Sequence, residues 1–180
     1  MSLAELLAAA AITCMVILVV TSLLFMTMTN KRLLQQQTDA YEALRLPASM
    51  VTLDARFATT VSCQVSEYLQ IATNAAVTEY VMYRFASAPI GGSPHDVTDD
   101  PHNLHRWVVK GGAVERDDIV GWNLVKVDPS DPNQVDYTWF GCTVDAPLRT
   151  TAKIHLVKQL VSKSGTRSVV LEATGFLRAN

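Results

Sequence analysis

Residues 1–28, MSLAELLAAAAITCMVILVVTSLLFMTM, carry one charged side chain, Glu5, and the run from Leu6 to Met28 carries none. At about 1.5 Å per residue, some 23 uncharged residues make a helix of roughly 34 Å, enough to cross a hydrocarbon core of about 30 Å with some tilt. The stretch reads as a membrane-spanning helix. A carboxylate costs about 2.5–3.5 kcal/mol at mid-membrane and less near the interface, so Glu5 calls for a partner. The nearest candidate is an α-amino group, that of Met1 or of an identical neighbour's terminus. The positive end of the helix dipole also favours an acid in the first turn. An ordinary signal anchor, whose acid lies at the interface and reaches water, is the other reading.

The start Met1-Ser2-Leu3-Ala4-Glu5-Leu6-Leu7 resembles the mature amino terminus of type IV pilins and type II secretion pseudopilins, with a hydrophobic first residue and glutamate fifth. The resemblance implies that Met1 is left when prepilin peptidase removes a short basic leader, and that Met1 is a candidate for N-methylation. It also implies that Glu5 neutralises the terminal amine of an adjacent subunit during assembly. The subunit would first sit in the bacterial inner membrane as a single-pass protein with an extracytoplasmic head. It would then enter a periplasmic or cell-surface filament. The implied partners are other pilins or pseudopilins in a helical filament, the inner-membrane assembly platform, prepilin peptidase, and lipid before assembly. Lys31 and Arg32 alone would place the following segment in the cytoplasm, an orientation that a basic leader reverses. Many pilins have Gly where this chain has Cys14 and Pro near Ser22. Neither breaker precedes Pro47 here, so the first helix is expected to run unmelted.

Beyond the anchor, about 150 residues remain, a usual size for one domain. A formal net charge of −2 gives no electrostatic footprint for nucleic acid. Cys14 lies in the span and reads as a small packing residue. Cys63 and Cys142 fall in the part that the resemblance places outside the inner membrane, where disulfides persist. They are read as either a bonded pair or two buried thiols. Closing a loop of about 80 residues would contribute roughly 4 kcal/mol on the chain-entropy account.

Leu33, Leu34, Gln37, Ala40, Tyr41, Leu44 and Arg45 mix apolar and polar residues at helical spacing, predicting an amphipathic extension. Pro47 is expected to end or kink it, with a short second helix from Ser49 to Thr60. Strand character follows over Val61–Thr73 and Ala76–Ala86 with a turn at Asn74, then a surface loop over Ala88–Asn103. Further strands are expected at Leu104–Lys110, Gly121–Val127 and Gln134–Asp145, with a Gly111-Gly112 turn after the first. A final hairpin joins Ala152–Val161, which has an irregularity, to Ser168–Arg178.

The order of Leu53-Asp54-Ala55-Arg56-Phe57, Glu79-Tyr80-Val81-Met82-Tyr83-Arg84-Phe85 and Leu104-His105-Arg106-Trp107 is similar to that of J-type pseudopilins and W-type minor pilins. The ending Ala173-Thr174-Gly175-Phe176-Leu177-Arg178-Ala179-Asn180 is similar to their closing strand, with Ala179 inserted before the last residue.

Catalytic motifs are missing: no phosphate loop, no Gly-x-Ser-x-Gly, no His-Glu-x-x-His and no Cys-x-x-Cys. No enzyme activity, cofactor or metal is expected. The segment Pro94–His105 packs three histidines and three aspartates into 12 positions. Its spacing fits neither an EF-hand nor a closed zinc site. We read it as a solvated, proline-braced loop, with a gathered divalent ion as the alternative. Trp107, Trp122 and Trp139, with Tyr80, Tyr83, Tyr137 and Phe140, read as core or inter-subunit packing, with a ligand platform as the alternative.

The expectation is an α+β, pilin-like chain. Residues 1–29 form the transmembrane and filament-core helix, 30–60 the amphipathic extension and short second helix, and 61–180 an antiparallel head. The expected function is that of a minor pilin or pseudopilin that primes or caps a type IV pilus or type II secretion-like filament. A major pilin, or a single-pass membrane protein with an extracytoplasmic binding domain, are the alternatives.

Overall fold

The computed structural model describes residues 2–65, 67–74, 76–128, 130–131, 134–145, 149–162 and 165–177. One apolar amino-terminal helix is followed by antiparallel sheets, an α+β arrangement. Helix α1 covers Leu3–Arg56. By internal contacts the chain divides into Met1–Asp39 and Ala40–Asn180.

In the first unit every described residue from Ser2 to Arg32 is exposed, and this part of α1 is long and apolar enough to cross a membrane. The hydroxyls of Thr13, Thr21, Thr27 and Thr29 each donate to the carbonyl four residues back, at 2.7–2.8 Å. Hydroxyls satisfied in this way do not meet hydrocarbon as bare polar groups.

The second unit corrects one part of the expectation at Pro47, that the helix ends there and a second one follows. The proline neither ends the helix nor starts a second one; it lies inside α1, which continues to Arg56. Proline within a helix costs about 3 kcal/mol. That cost is offset because Ala40, Leu44, Pro47, Ala48, Val51 and Ala55 form one buried stripe, where apolar burial contributes about 1.5–3 kcal/mol per large side chain.

Five strands form one sheet in the order β1-β2-β3-β6-β7: β1 Thr60–Gln64, β2 Tyr68–Ala72, β3 Glu79–Arg84, β6 Leu104–Lys110 and β7 Ala113–Gly121. The intervening β4 Ala86–Ser87 pairs with β5 Thr98–Asp99. A second sheet runs β10-β9-β8, with β8 Trp139–Asp145, β9 Arg149–Ser162 and β10 Gly165–Phe176.

Three strand expectations need correction. Val61–Thr73 is a hairpin, not one strand: Gln64 pairs with Tyr68 across a turn that no Gly or Pro announces. The strand after Gly111-Gly112 is Ala113–Gly121; beyond Gly121 the expected Gly121–Val127 forms no strand, only an isolated bridge from Leu124 to Lys158 and backbone hydrogen bonds at Val125. Residues 134–138 precede β8 without joining a strand. The irregularity expected in β9 is absent too, since β9 and β10 keep one continuous register from Thr151↔Phe176 to Ser162↔Gly165. The tip of that hairpin, Lys163 and Ser164, lies outside the described residues, as do Arg178, Ala179 and Asn180. At the Gly111-Gly112 turn both residues have positive φ, 56° and 85°, which a two-residue hairpin with matched twist requires.

The five-stranded sheet is covered on both faces. Leu69, Ile71, Val81, Tyr83 and Leu104 share the main core with the α1 stripe and with Phe140, Ile154 and Leu156 of the second sheet. On the other face Trp107, Val109 and Val114 pack with Ala86 and Ala88, flanked by Tyr80, Met82 and Val97. The segment after β3 lies at the surface, as expected of Ala88–Asn103, and also straps the sheet through Ala88 and Val97. Gly175 lets β10 approach α1 closely: a Cβ there would fall 2.4 Å from the Ala55 Cβ and 3.2 Å from the Val51 carbonyl oxygen.

Candidate functional site

Within the first unit, Leu3–Met28 presents an apolar surface and one acid, Glu5. At its start Ser2 and Glu5 form a reciprocal capping box: the Ser2 N–H donates to Glu5 Oε2 at 2.8 Å, and the Glu5 N–H donates to Ser2 Oγ at 3.3 Å. Two helix-terminal donors are satisfied together, the physical purpose of a Ser-x-x-Glu start. The pattern Ser2-Leu3-Ala4-Glu5 carries that signal in the sequence. Met1, the expected processing position, lies outside the described residues. Cys14 is a free, exposed thiol on the apolar rod.

In the second unit the end of α1 is fixed to the sheet by a polar cluster. Arg106 on β6 holds Asp54 with two hydrogen bonds, Nε to Oδ2 and Nη2 to Oδ1, both 2.8 Å. The Tyr83 hydroxyl on β3 donates to Asp54 Oδ2 at 2.5 Å. Tyr83 is fully buried, and the Asp54 and Arg106 side chains are only 13% and 17% exposed. Burial first, and the adjacent Asp54 charge second, push the Tyr83 phenol above its ordinary range. The hydrogen bond from Arg106 to Asp54 holds the guanidinium more firmly protonated still, against burial. The three segments quoted for the J-type and W-type resemblance each supply one member of this cluster. Their meeting across 52 residues of chain was not legible from spacing.

Cys63 on β1 and Cys142 on β8 are joined by a disulfide with a Cα–Cα distance of 5.9 Å. Beside it the Phe140 N–H donates to the Val65 carbonyl at 2.8 Å, so the two sheets are tied side by side.

The histidines of residues 94–105 are dispersed. His95 and His102 are exposed, whereas His105 is buried on β6 between two carboxylates. Its Nδ1 lies 2.7 Å from Asp117 Oδ1 and its Nε2 lies 3.2 Å from Asp100 Oδ2. The second Asp117 oxygen accepts the Ala88 N–H at 2.9 Å, so the cluster pins both ends of the strap. Burial, the largest single influence, pushes the Asp100 carboxyl up. The Asn103 amide, His105, and the N–H groups of His102 and Asn103 together outweigh it and bring Asp100 down to about 2. Among the described residues no group of three or more His, Cys, Asp and Glu side chains is gathered to hold a metal ion.

The aromatic residues divide by environment. Trp107, Tyr83 and Phe140 are core; Trp122 is 46% exposed; Trp139 stacks on His155 at the surface of the second sheet, with centroids 5.2 Å apart. His155 Nδ1 in turn lies 2.8 Å from Glu172 Oε1.

No family model, no curated protein and no solved structure matches the chain.

Proposed function

We propose that this chain is a pilin-like subunit, a minor pilin or pseudopilin that primes or caps a type IV or type II secretion-like filament, with a structural role and no chemistry of its own. The observation that carries the reading is the rod Leu6–Met28, wholly exposed and uncharged, headed by a single acid, Glu5. Such a rod is stable in lipid, or buried among similar rods, and leaving one for the other preserves its apolar surroundings. One Glu5 oxygen accepts from Ser2; a carboxylate has a second oxygen and several lone pairs, so the cap leaves capacity for a neighbour's amine. An unpaired carboxylate in a filament core is penalised, so only the axial offset that brings an amine to it is favoured. The extracytoplasmic head, the inner-membrane location before assembly, and partnership with other pilins, the assembly platform and prepilin peptidase follow from this reading.

The test is incorporation of Glu5→Ala into filaments in cells producing the other subunits. The head should fold and the variant should remain in the membrane fraction, with recruitment lost. Normal recruitment would refute the reading.

A further inference from the structure

Strands β1 and β8 are tied together by the disulfide, so the outer edges of the two sheets are β7 and β10. They are built differently. An open strand edge invites pairing with another chain, and proteins blunt it with charge, irregular register, proline or a covering segment. Strand β7 has three of these devices. It carries the run Glu115-Arg116-Asp117-Asp118, and its pairing with β6 has two register shifts. The strap also covers its start, where the Gly91 N–H donates to the Val114 carbonyl at 2.7 Å and the Val114 N–H to the Gly92 carbonyl at 3.0 Å.

Strand β10 has almost none. It is 12 residues long, contains no proline and keeps an unshifted register. Among the described residues β9 is its one backbone hydrogen-bonding partner. Its charges are Arg167, which is exposed, and Glu172, which is bound to His155. Arg167, Val169, Leu171 and Ala173 share one face by the strand's alternation. Leu171 and Ala173 pack only partly buried against the main core. An added strand would cover them.

We infer that β10 accepts an extended segment of a different polypeptide, laid antiparallel, with apolar residues facing Val169, Leu171 and Ala173 and an acid opposite Arg167. A second copy of β10 fits less well, because no acid lies on the face that carries Arg167 and that guanidinium would lack a counter-charge. The inference uses the head alone and does not rest on the pilin-like reading.

The experiment uses the full chain in detergent micelles and a capped heptapeptide, Val-Thr-Val-Thr-Val-Thr-Asp, with hydrogen exchange read at β10. The peptide should slow exchange there, and a version with proline at its centre should not. Arg167→Glu should reverse the preference between this peptide and one ending in lysine, changing relative affinity about two- to fivefold. Tryptophan emission checks that the variant is folded. Unchanged exchange at millimolar peptide, equal binding of the proline version, or no reversal by Arg167→Glu would overturn the proposal. So would protection of β10 that rises with chain concentration in the absence of peptide.

Discussion

Replacing Asp54 by Asn should destabilise the 40–180 unit by about 3 kcal/mol, because a buried guanidinium left without its counter-charge costs about 3–5 kcal/mol. An exposed ion pair would contribute only about 0–1 kcal/mol. Exposures of 13% and 17% and two hydrogen bonds of 2.8 Å place Asp54 and Arg106 near the buried limit. Asparagine keeps an acceptor for the Tyr83 hydroxyl, so the substitution isolates the charge. The assay is urea unfolding of the full chain in micelles, followed by tryptophan emission. All three tryptophans, Trp107, Trp122 and Trp139, lie in this unit. With a urea dependence of about 1–3 kcal/mol per molar, the midpoint should fall by roughly 1–3 M. Adding Arg106→Met should recover part of the loss, since the stranded charge is then removed. A shift corresponding to less than about 1 kcal/mol, or no recovery in the double variant, would refute the reasoning.

Reducing the Cys63–Cys142 bridge, or replacing both cysteines by serine, should cost roughly 4 kcal/mol for a loop closed over 79 residues, read as a lower urea midpoint. Gly175→Ala should cost about 1–3 kcal/mol by forcing α1 away from β10, and exchange at the end of α1 should quicken. Asp100 is held at about 2 in the fold, below its ordinary 3.8. Its contribution is therefore full above pH 4 and is lost as pH falls from about 4 toward 2. That contribution is at most about 2 kcal/mol because the side chain keeps contact with water. Asp100→Asn should flatten this part of the stability–pH curve, measured by urea midpoints between pH 5 and 2.

The apolar rod, the closing hairpin and the Gly111-Gly112 turn were legible because each is announced locally by hydropathy, alternation or glycine. Helix α1 beyond Pro47 was not, since the burial that holds it together comes from strands distant in sequence. Strand β7 was hidden for the opposite reason: Glu115 to Asp118 mask its alternation, and those charges are what an exposed edge uses against mispairing. The turn at Val65 is fixed by the pairing of its flanking strands and not by turn residues. The Asp54–Tyr83–Arg106 cluster joins three elements, and nothing in one sequence couples them. The Ser2–Glu5 cap is local, a Ser-x-x-Glu start, and its signal coincides with the one that marks Glu5 as the lone acid of the rod.

That double role of Glu5 sets the decisive measurement. Glutamine at the third helical position still closes a capping box, so Glu5→Gln keeps the cap and removes the charge. Quantifying Glu5→Gln and Ser2→Ala in purified filaments against wild type separates the two roles. If an amine of the neighbouring subunit pairs with this carboxylate, Glu5→Gln is excluded while Ser2→Ala is admitted. Wild-type levels of Glu5→Gln would mean that the acid serves only to begin its own helix, and the filament account would fail.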